Sequence, residues 1–217
     1  MIPLGVLGSS LSGSGGPVTA AYQGTATTTS TALTSTFTAM PIGTPSATRT
    51  VVVGLIWRSS WATASASVTV GGIAATLDQS TRNGWQRVEF YRAEVPAGST
   101  ADIVATFTNS PGSQGVIVAA WALDAHVAIV DAAGTTTTPL SLSMDTAAGG
   151  VALGMVGYAT NGPADWTGPS ERFDLTTMTT RGSGADMATT GAPVTIATAL
   201  AGSVIDPVLA AISYQGA

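Results

Sequence analysis

Apolar residues in this chain come in short runs, and almost none of them recur at the helical period. The runs are rich in Val, Ile, Thr and aromatic residues, and Gly, Pro, Asn or Ser bounds each one. That is the pattern of strands. "RTVVVGLIWRSS" (49–60) predicts a buried strand with Val51, Val53, Leu55 and Trp57 on one face. "SVTVGGIAATL" (67–77) predicts two short strands about Gly71-Gly72, a pair suited to a tight turn with positive φ. "QRVEFYRAEV" (86–95) has an arginine on each face, Arg87 and Arg92, and so predicts a half-buried or edge strand. "GVIVAAWALD" (115–124) and "GGVALGMVGYAT" (149–160) are near-continuous apolar runs, expected to be covered on both sides. "VPAGSTADIVATFT" (95–108), "TPLSLSM" (138–144), "ERFDLTTM" (171–178) and "VTIATAL" (194–200) complete the interior set. "PVLAAISYQ" (207–215) fits a helical period too, but its β-branched residues and the Asp206-Pro207 step favour a strand.

In the Thr-rich stretch 17–48, Leu33, Ser35 and Phe37 alternate with Thr34, Thr36 and Thr38, as an outer strand would. About ten to twelve short strands result, and such a set is covered by packing sheets face to face or closing a barrel. The expectation is an all-β protein: a β-sandwich of jelly-roll-like connections, two sheets face to face, in one domain over 17–217. A division near "DAAGTTTTP" (131–139) is disfavoured, because the buried runs on either side each need the other half for cover. Residues 1–16, "MIPLGVLGSSLSGSGG", stand apart as an apolar strip on a loose hinge, an extended N-terminal arm.

Composition sharpens this picture. Only 9% of the 217 residues are charged, against about 25% in an ordinary globular chain. Lysine and cysteine are absent, so disulfides and thiolate metal sites are excluded. The net charge of −5 carries no basic stripe, which argues against nucleic acid as a partner. Low charge leaves two readings: a surface covered by a partner or by copies of itself, or a neutral surface of Thr and Ser. No Lys or Arg precedes Arg49, and the opening strip is shorter than the apolar core of about 7–15 residues in a secretory signal. No run approaches the length of about 20 apolar residues that a membrane-spanning helix needs. Synthesis in the cytoplasm without export, and no membrane insertion, are expected.

Candidate chemistry is sparse. His126 is the only histidine, and Asp124 would share its face in a strand, but no serine sits in a G-x-S-x-G elbow. The acids fall mostly at loop edges, where Asp is ordinary turn chemistry. "GSGAD" (182–186) reads as a glycine-rich loop without the lysine of a phosphate cradle. No catalytic residue, metal site or cofactor is assigned. The binding hint is aromatic: Trp57, Trp61, Trp85 and Trp166 fall at strand ends or in loops. In "RNGWQR" (82–87) and "NGPADWTGPSER" (161–172), Asn83, Trp85, Asn161, Asp165 and Trp166 form a candidate glycan-binding set. The competing reading has these tryptophans plugging the ends of the core.

Taken together, "VTVGGIAATL", "EVPAGSTADIVATF" and "DWTGPSERFDL" resemble segments of small β-sandwich proteins encoded by tailed bacteriophages and prophages of GC-rich alphaproteobacterial hosts. The resemblance covers about 49–217 and implies a non-enzymatic virion component, in the tail-tip or fibre region or, alternatively, decorating the capsid. Nothing catalytic carries over. Virion proteins of this kind often dock through a terminal arm, which makes Ile2, Pro3, Leu4, Val6 and Leu7 the expected anchors on a neighbouring virion protein. A homo-oligomer, and a host surface glycan as ligand, complete the expected partners.

Overall fold

The protein is described from a computed structural model, which covers residues 16–159 and 162–217. The expected anchors Ile2, Pro3, Leu4, Val6 and Leu7 lie outside the described residues, as does Asn161.

The described chain is all-β apart from one 3₁₀ turn at Gly112–Gln114, and every strand pairing is antiparallel. The first nine strands are β1 (Ala20–Thr28), β2 (Thr34–Pro41), β3 (Thr50–Arg58), β4 (Ala66–Val70), β5 (Ile73–Ala74), β6 (Thr76–Asn83), β7 (Gln86–Glu94), β8 (Thr100–Phe107) and β9 (Val116–Leu123). Eight more follow: β10 (Val127–Thr135), β11 (Leu140–Met144), β12 (Ala148–Ala159), β13 (Ala164–Thr167), β14 (Ser170–Thr177), β15 (Thr180–Thr190), β16 (Val194–Leu200) and β17 (Ile205–Gly216). No helix is long and apolar enough to cross a membrane among the described residues.

The sandwich is deeper than the two sheets expected. Four sheets stack in four layers, with a core in each of the three gaps. The first outer sheet, β2-β8-β4-β5, packs on the first inner sheet, β1-β9-β3-β7-β6. Phe37, Ile103 and Phe107 meet Val53, Leu55 and Trp57 in the gap between them. The other face of that inner sheet, through Val52, Ile56 and Trp121, packs on the second inner sheet, β10-β17-β12-β15-β14. The second outer sheet, β11-β16-β13, closes the stack over Ala152 and Val156 of β12. This explains why every residue of β3 and of β9 is buried: both strands lie in a sheet that is covered on both sides. The expected faces of β3 are as read, with Val51, Val53, Leu55 and Trp57 in one core.

Two local expectations are corrected. "QRVEFYRAEV" is not an edge strand, since β7 lies between β3 and β6 and Arg87 and Glu89 are buried. Internal hydrogen bonds satisfy these charges, described below. "GSGAD" is not a loop but the middle of β15. Its glycines make room rather than a turn: a Cβ at Gly182 would strike Ile56, and one at Gly184 would strike Phe173. By contrast, Gly71 and Gly72 do turn the chain, with φ of 58° and 79°.

The two halves of the chain repeat one plan. Strands β1–β9 build one outer and one inner sheet, and β10–β17 build the other two. The inner orders β1-β9-β3-β7-β6 and β10-β17-β12-β15-β14 correspond strand for strand, and so do β2-β8-β4 and β11-β16-β13. The hairpins β6–β7 and β14–β15 superimpose in register, Thr76↔Arg92 on Ser170↔Asp186, with a bulge at the same place in each, at Asp78 and Arg172. Across the central gap β1 faces β14 while β10 faces β6, β17 faces β7 while β15 faces β9, and β3 faces β12. Such exchange of roles is what an approximate two-fold relation produces, although β17 also packs on β6 without an equally extensive contact of β9 on β14.

Ion pairs mark this relation. Arg92 Nε donates to Asp78 at 3.0 Å, and the Tyr214 hydroxyl reaches across to the same carboxylate at 2.8 Å. In the other half Arg172 grips Asp186 through two hydrogen bonds of 2.7 and 2.9 Å, and Trp121 Nε1 reaches across to it at 2.9 Å. Each of these aromatics sits just before the slip that β1 or β10 makes against its neighbour. The two ion pairs occupy equivalent positions with acid and base exchanged.

Candidate functional site

Exposed large apolar side chains gather where β3, β6 and β8 end. Trp61 is 59% exposed in the loop after β3, and Trp85 is 47% exposed in the β6–β7 turn. That turn needs a left-handed residue, and Gly84 provides it at φ 52°. A Cβ there would also strike the Asp206 carboxylate.

Arginines hold the two tryptophan loops together. Arg87 Nη2 donates to the Trp61 carbonyl at 2.8 Å, and its Nη1 donates to the Trp85 carbonyl at 3.4 Å. Arg82 Nε donates to the Gly84 carbonyl at 2.8 Å and its Nη1 to the Ala62 carbonyl at 3.0 Å. The backbone adds Ser59 N–H to the Trp85 carbonyl at 2.9 Å. Arg58 binds Asp206 through Nη2 at 3.1 Å, and the Trp85 N–H donates to the same carboxylate at 3.3 Å. A recess of about 120 Å³ opens beside Trp85, lined also by Ser60, Ser110, Pro111, Gly112 and Gln114.

Beneath this end lies a buried polar core. The Arg87 guanidinium stacks 4.8 Å over the Trp57 ring. Glu89 accepts hydrogen bonds from Trp57 Nε1 at 3.0 Å, the Tyr91 hydroxyl at 2.9 Å and the Ser80 hydroxyl at 3.2 Å. Burial raises the Glu89 carboxyl above its ordinary value, against the opposing pull of those three donors and of Arg87. Burial lowers the Arg87 guanidinium, and the neighbouring Arg82 pushes it the same way. Arg58 Nε and Nη1 and Gln86 Oε1 are buried and find no hydrogen-bond partner among the described residues.

The glycan-binding set read from sequence is not brought together. Trp85 is exposed at the turn of the first inner sheet, whereas Trp166 lies on β13 in the second outer sheet. Trp166 is half-buried in the third core, and its Nε1 donates to the Ser183 hydroxyl at 2.7 Å. Asp165 is exposed on β13 opposite Ala199. Asn83 turns its amide onto the Pro207 carbonyl at 3.1 Å, so it ties the hairpin to β17. The partner of Trp85 is Trp61, and the cations beside it are Arg82 and Arg87. In sequence, Trp61 is one more tryptophan at a strand end, and only the fold brings its loop against the β6–β7 turn.

Other candidate groups serve the fold. His126 Nδ1 lies 3.1 Å from Glu94, while Asp124 accepts from the Thr19 N–H and hydroxyl at 2.8 and 2.7 Å. The Asp124 carboxylate thus holds the start of β1 rather than the imidazole. A recess of about 340 Å³ beside Arg49 leads to a guanidinium held by the Val95, Gly43 and Ala97 carbonyls. Among the described residues, no three of His, Asp or Glu converge as metal ligands.

No known protein family matches the chain, and no curated protein matches it either.

Proposed function

We propose that this chain is a non-enzymatic structural component of a bacteriophage particle, in the tail-tip or fibre region, docked through residues 1–16 and built to carry an attachment surface. What supports the reading is how the buried charges are used. Asp78, Asp174, Asp186 and Asp206 each hold an arginine, and Glu89 holds three uncharged donors. The ionisable groups thus brace a rigid stack, and what is left at the surface is contact surface. The likeness of segments within 49–217 to phage β-sandwich proteins points the same way. In this reading each half is a jelly-roll-like unit: β1-β9-β3-β7 lies over β2-β8-β4-β5, with first and last strands adjacent. Other virion proteins and further copies of the chain are its partners.

Light scattering on the full chain and on a form lacking residues 1–16 tests this, with docking onto purified virions measured beside it. A shortened protein that keeps its melting temperature but neither assembles nor docks is the expected result. Equal monomers that both fail to dock would remove the virion assignment. Docking to capsids rather than tails would move the protein to capsid decoration.

A further inference from the structure

We infer that the Trp61–Trp85 end is a binding site for an acidic saccharide, a pyranose chain carrying carboxylate or sulfate groups. This goes beyond the particle reading and stands whether or not residues 1–16 dock.

The argument uses the second half of the chain as an internal control. In register, Arg87 corresponds to Arg181, Ser80 to Asp174, Arg82 to Thr176 and Trp85 to Thr179. In the second half, Arg181 is neutralised by Asp174 through two hydrogen bonds of 2.8 and 2.9 Å. In the first half that pair is inverted: serine stands at 80, and the carboxylate, Glu89, stands opposite it where the second half has Ser183. Arg87 there donates only to backbone carbonyls. A second cation, Arg82, is added at an exposed position beside it, and a tryptophan replaces threonine at the turn. The same hairpin therefore gains one exposed guanidinium, Arg82, and one exposed indole, Trp85, above the buried Arg87.

The two acids at this end are already engaged. Asp206 is held by Arg58 and by the Trp85 N–H, and Glu89 is buried among Trp57, Tyr91 and Ser80. Three of the seven arginines of an acidic chain thus meet here with two engaged carboxylates, Asp206 and Glu89, and Arg82 is the exposed one of the three. Charge of this sign calls for an anion, and exposed indoles suit the apolar face of a sugar ring. Both features together select an acidic saccharide over a free inorganic anion, which would leave the tryptophans without a role. Ser60, Ser110 and Gln114 around the recess provide hydrogen-bonding groups for ring hydroxyls. The loops come pre-tied by Arg82 and Arg87, so little ordering accompanies binding.

The test is calorimetric titration of the full chain with a hexamer of galacturonic acid, and with a neutral glucose hexamer for comparison. The galacturonate is expected to bind, and more weakly at higher salt because its carboxylates meet the exposed Arg82. Trp85→Ala and Trp61→Ala each weaken binding about tenfold or more, as loss of a central aromatic contact does. Both keep the backbone carbonyls that Arg87 grips. Arg82→Glu abolishes binding, and Trp166→Phe leaves it unchanged. Failure of the wild-type chain to bind at millimolar galacturonate overturns the proposal. So does equal affinity for the neutral hexamer, or unchanged affinity in Trp61→Ala, Trp85→Ala and Arg82→Glu together. None of these results bears on virion docking by residues 1–16.

Discussion

Glu89 is a carboxylic acid that the fold surrounds with three donors and yet desolvates so far that its neutral form is favoured relative to the unfolded chain. The sign of the consequence follows from linkage: a carboxyl raised in the folded state gives stability that is complete below its unfolded value and is lost as pH rises through the folded one. The window therefore opens at about 4.5, the ordinary value, and extends upward. Chemical denaturation between pH 4 and pH 7 is expected to show the Glu89→Gln protein gaining on the wild type as pH rises. A constant difference across that range would mean that Glu89 is charged at no net cost. The residue scale is also where the sequence left most open. Trp85 and Trp166 look alike in sequence, each in a Gly- and Asn-bearing segment, but Trp166 donates its indole N–H to Ser183 inside a core. Only the strand pairing β13 on β16 puts it there.

Hairpins are the scale at which the chain was easiest to read. Gly71-Gly72 turned where two positive-φ residues were expected, and the alternation of 49–60 gave the faces of β3 as they are. "GSGAD" failed for a physical reason: glycine marks missing side-chain volume as readily as a turn, and here Ile56 and Phe173 fill that volume from facing strands. The equivalent hairpins β6–β7 and β14–β15 carry a prediction of their own. Asp78 is almost fully buried beneath Arg92 and Tyr214. Arg92→Ala removes its cation and is expected to cost about 1–3 kcal/mol in urea unfolding. Asp78→Arg combined with Arg92→Asp copies the polarity of Arg172 and Asp186. The exchanged pair is expected to be more stable than the sum of its single changes by about 1 kcal/mol or more. Strict additivity would mean that the two positions are not coupled.

For the whole molecule, the long apolar runs held more information than the two-sheet expectation used. A strand in an ordinary sandwich has one wet face, whereas β3, β9 and most of β12 and β17 are buried on both. Runs such as "GVIVAAWALD" therefore called for cover on two sides. What periodicity does not give is the identity of that cover, because it is set by pairings between residues far apart in the chain. Here each half covers the other: Val52, Ile56 and Trp121 from the first half share a core with Leu153, Met155 and Ile212 from the second. Gly54 is one contact point, since a Cβ there would strike Met155 and Trp121. Thermal unfolding is accordingly expected to be a single transition followed alike by near-UV signal and calorimetry. Gly54→Ala should lower that one transition, by about 1–3 kcal/mol from overpacking, rather than split it. Two resolved transitions would mean that the halves are independent.

The fused two-fold has one more consequence. In a homodimer each substitution is present twice, so a change that helps one surface is imposed on its mate, and an ion pair cannot reverse sign in one subunit only. Dilution also dissolves such a pair by mass action. With both partners in one chain, neither limit applies. The body holds together at any concentration, and each half is free to change alone. Asp78–Arg92 can oppose Arg172–Asp186 in polarity, and one hairpin can carry Arg82 and Trp85 where its counterpart keeps Thr176 and Thr179. Covalent linkage gives this protein the packing of a dimer together with asymmetry that no pair of identical subunits could encode.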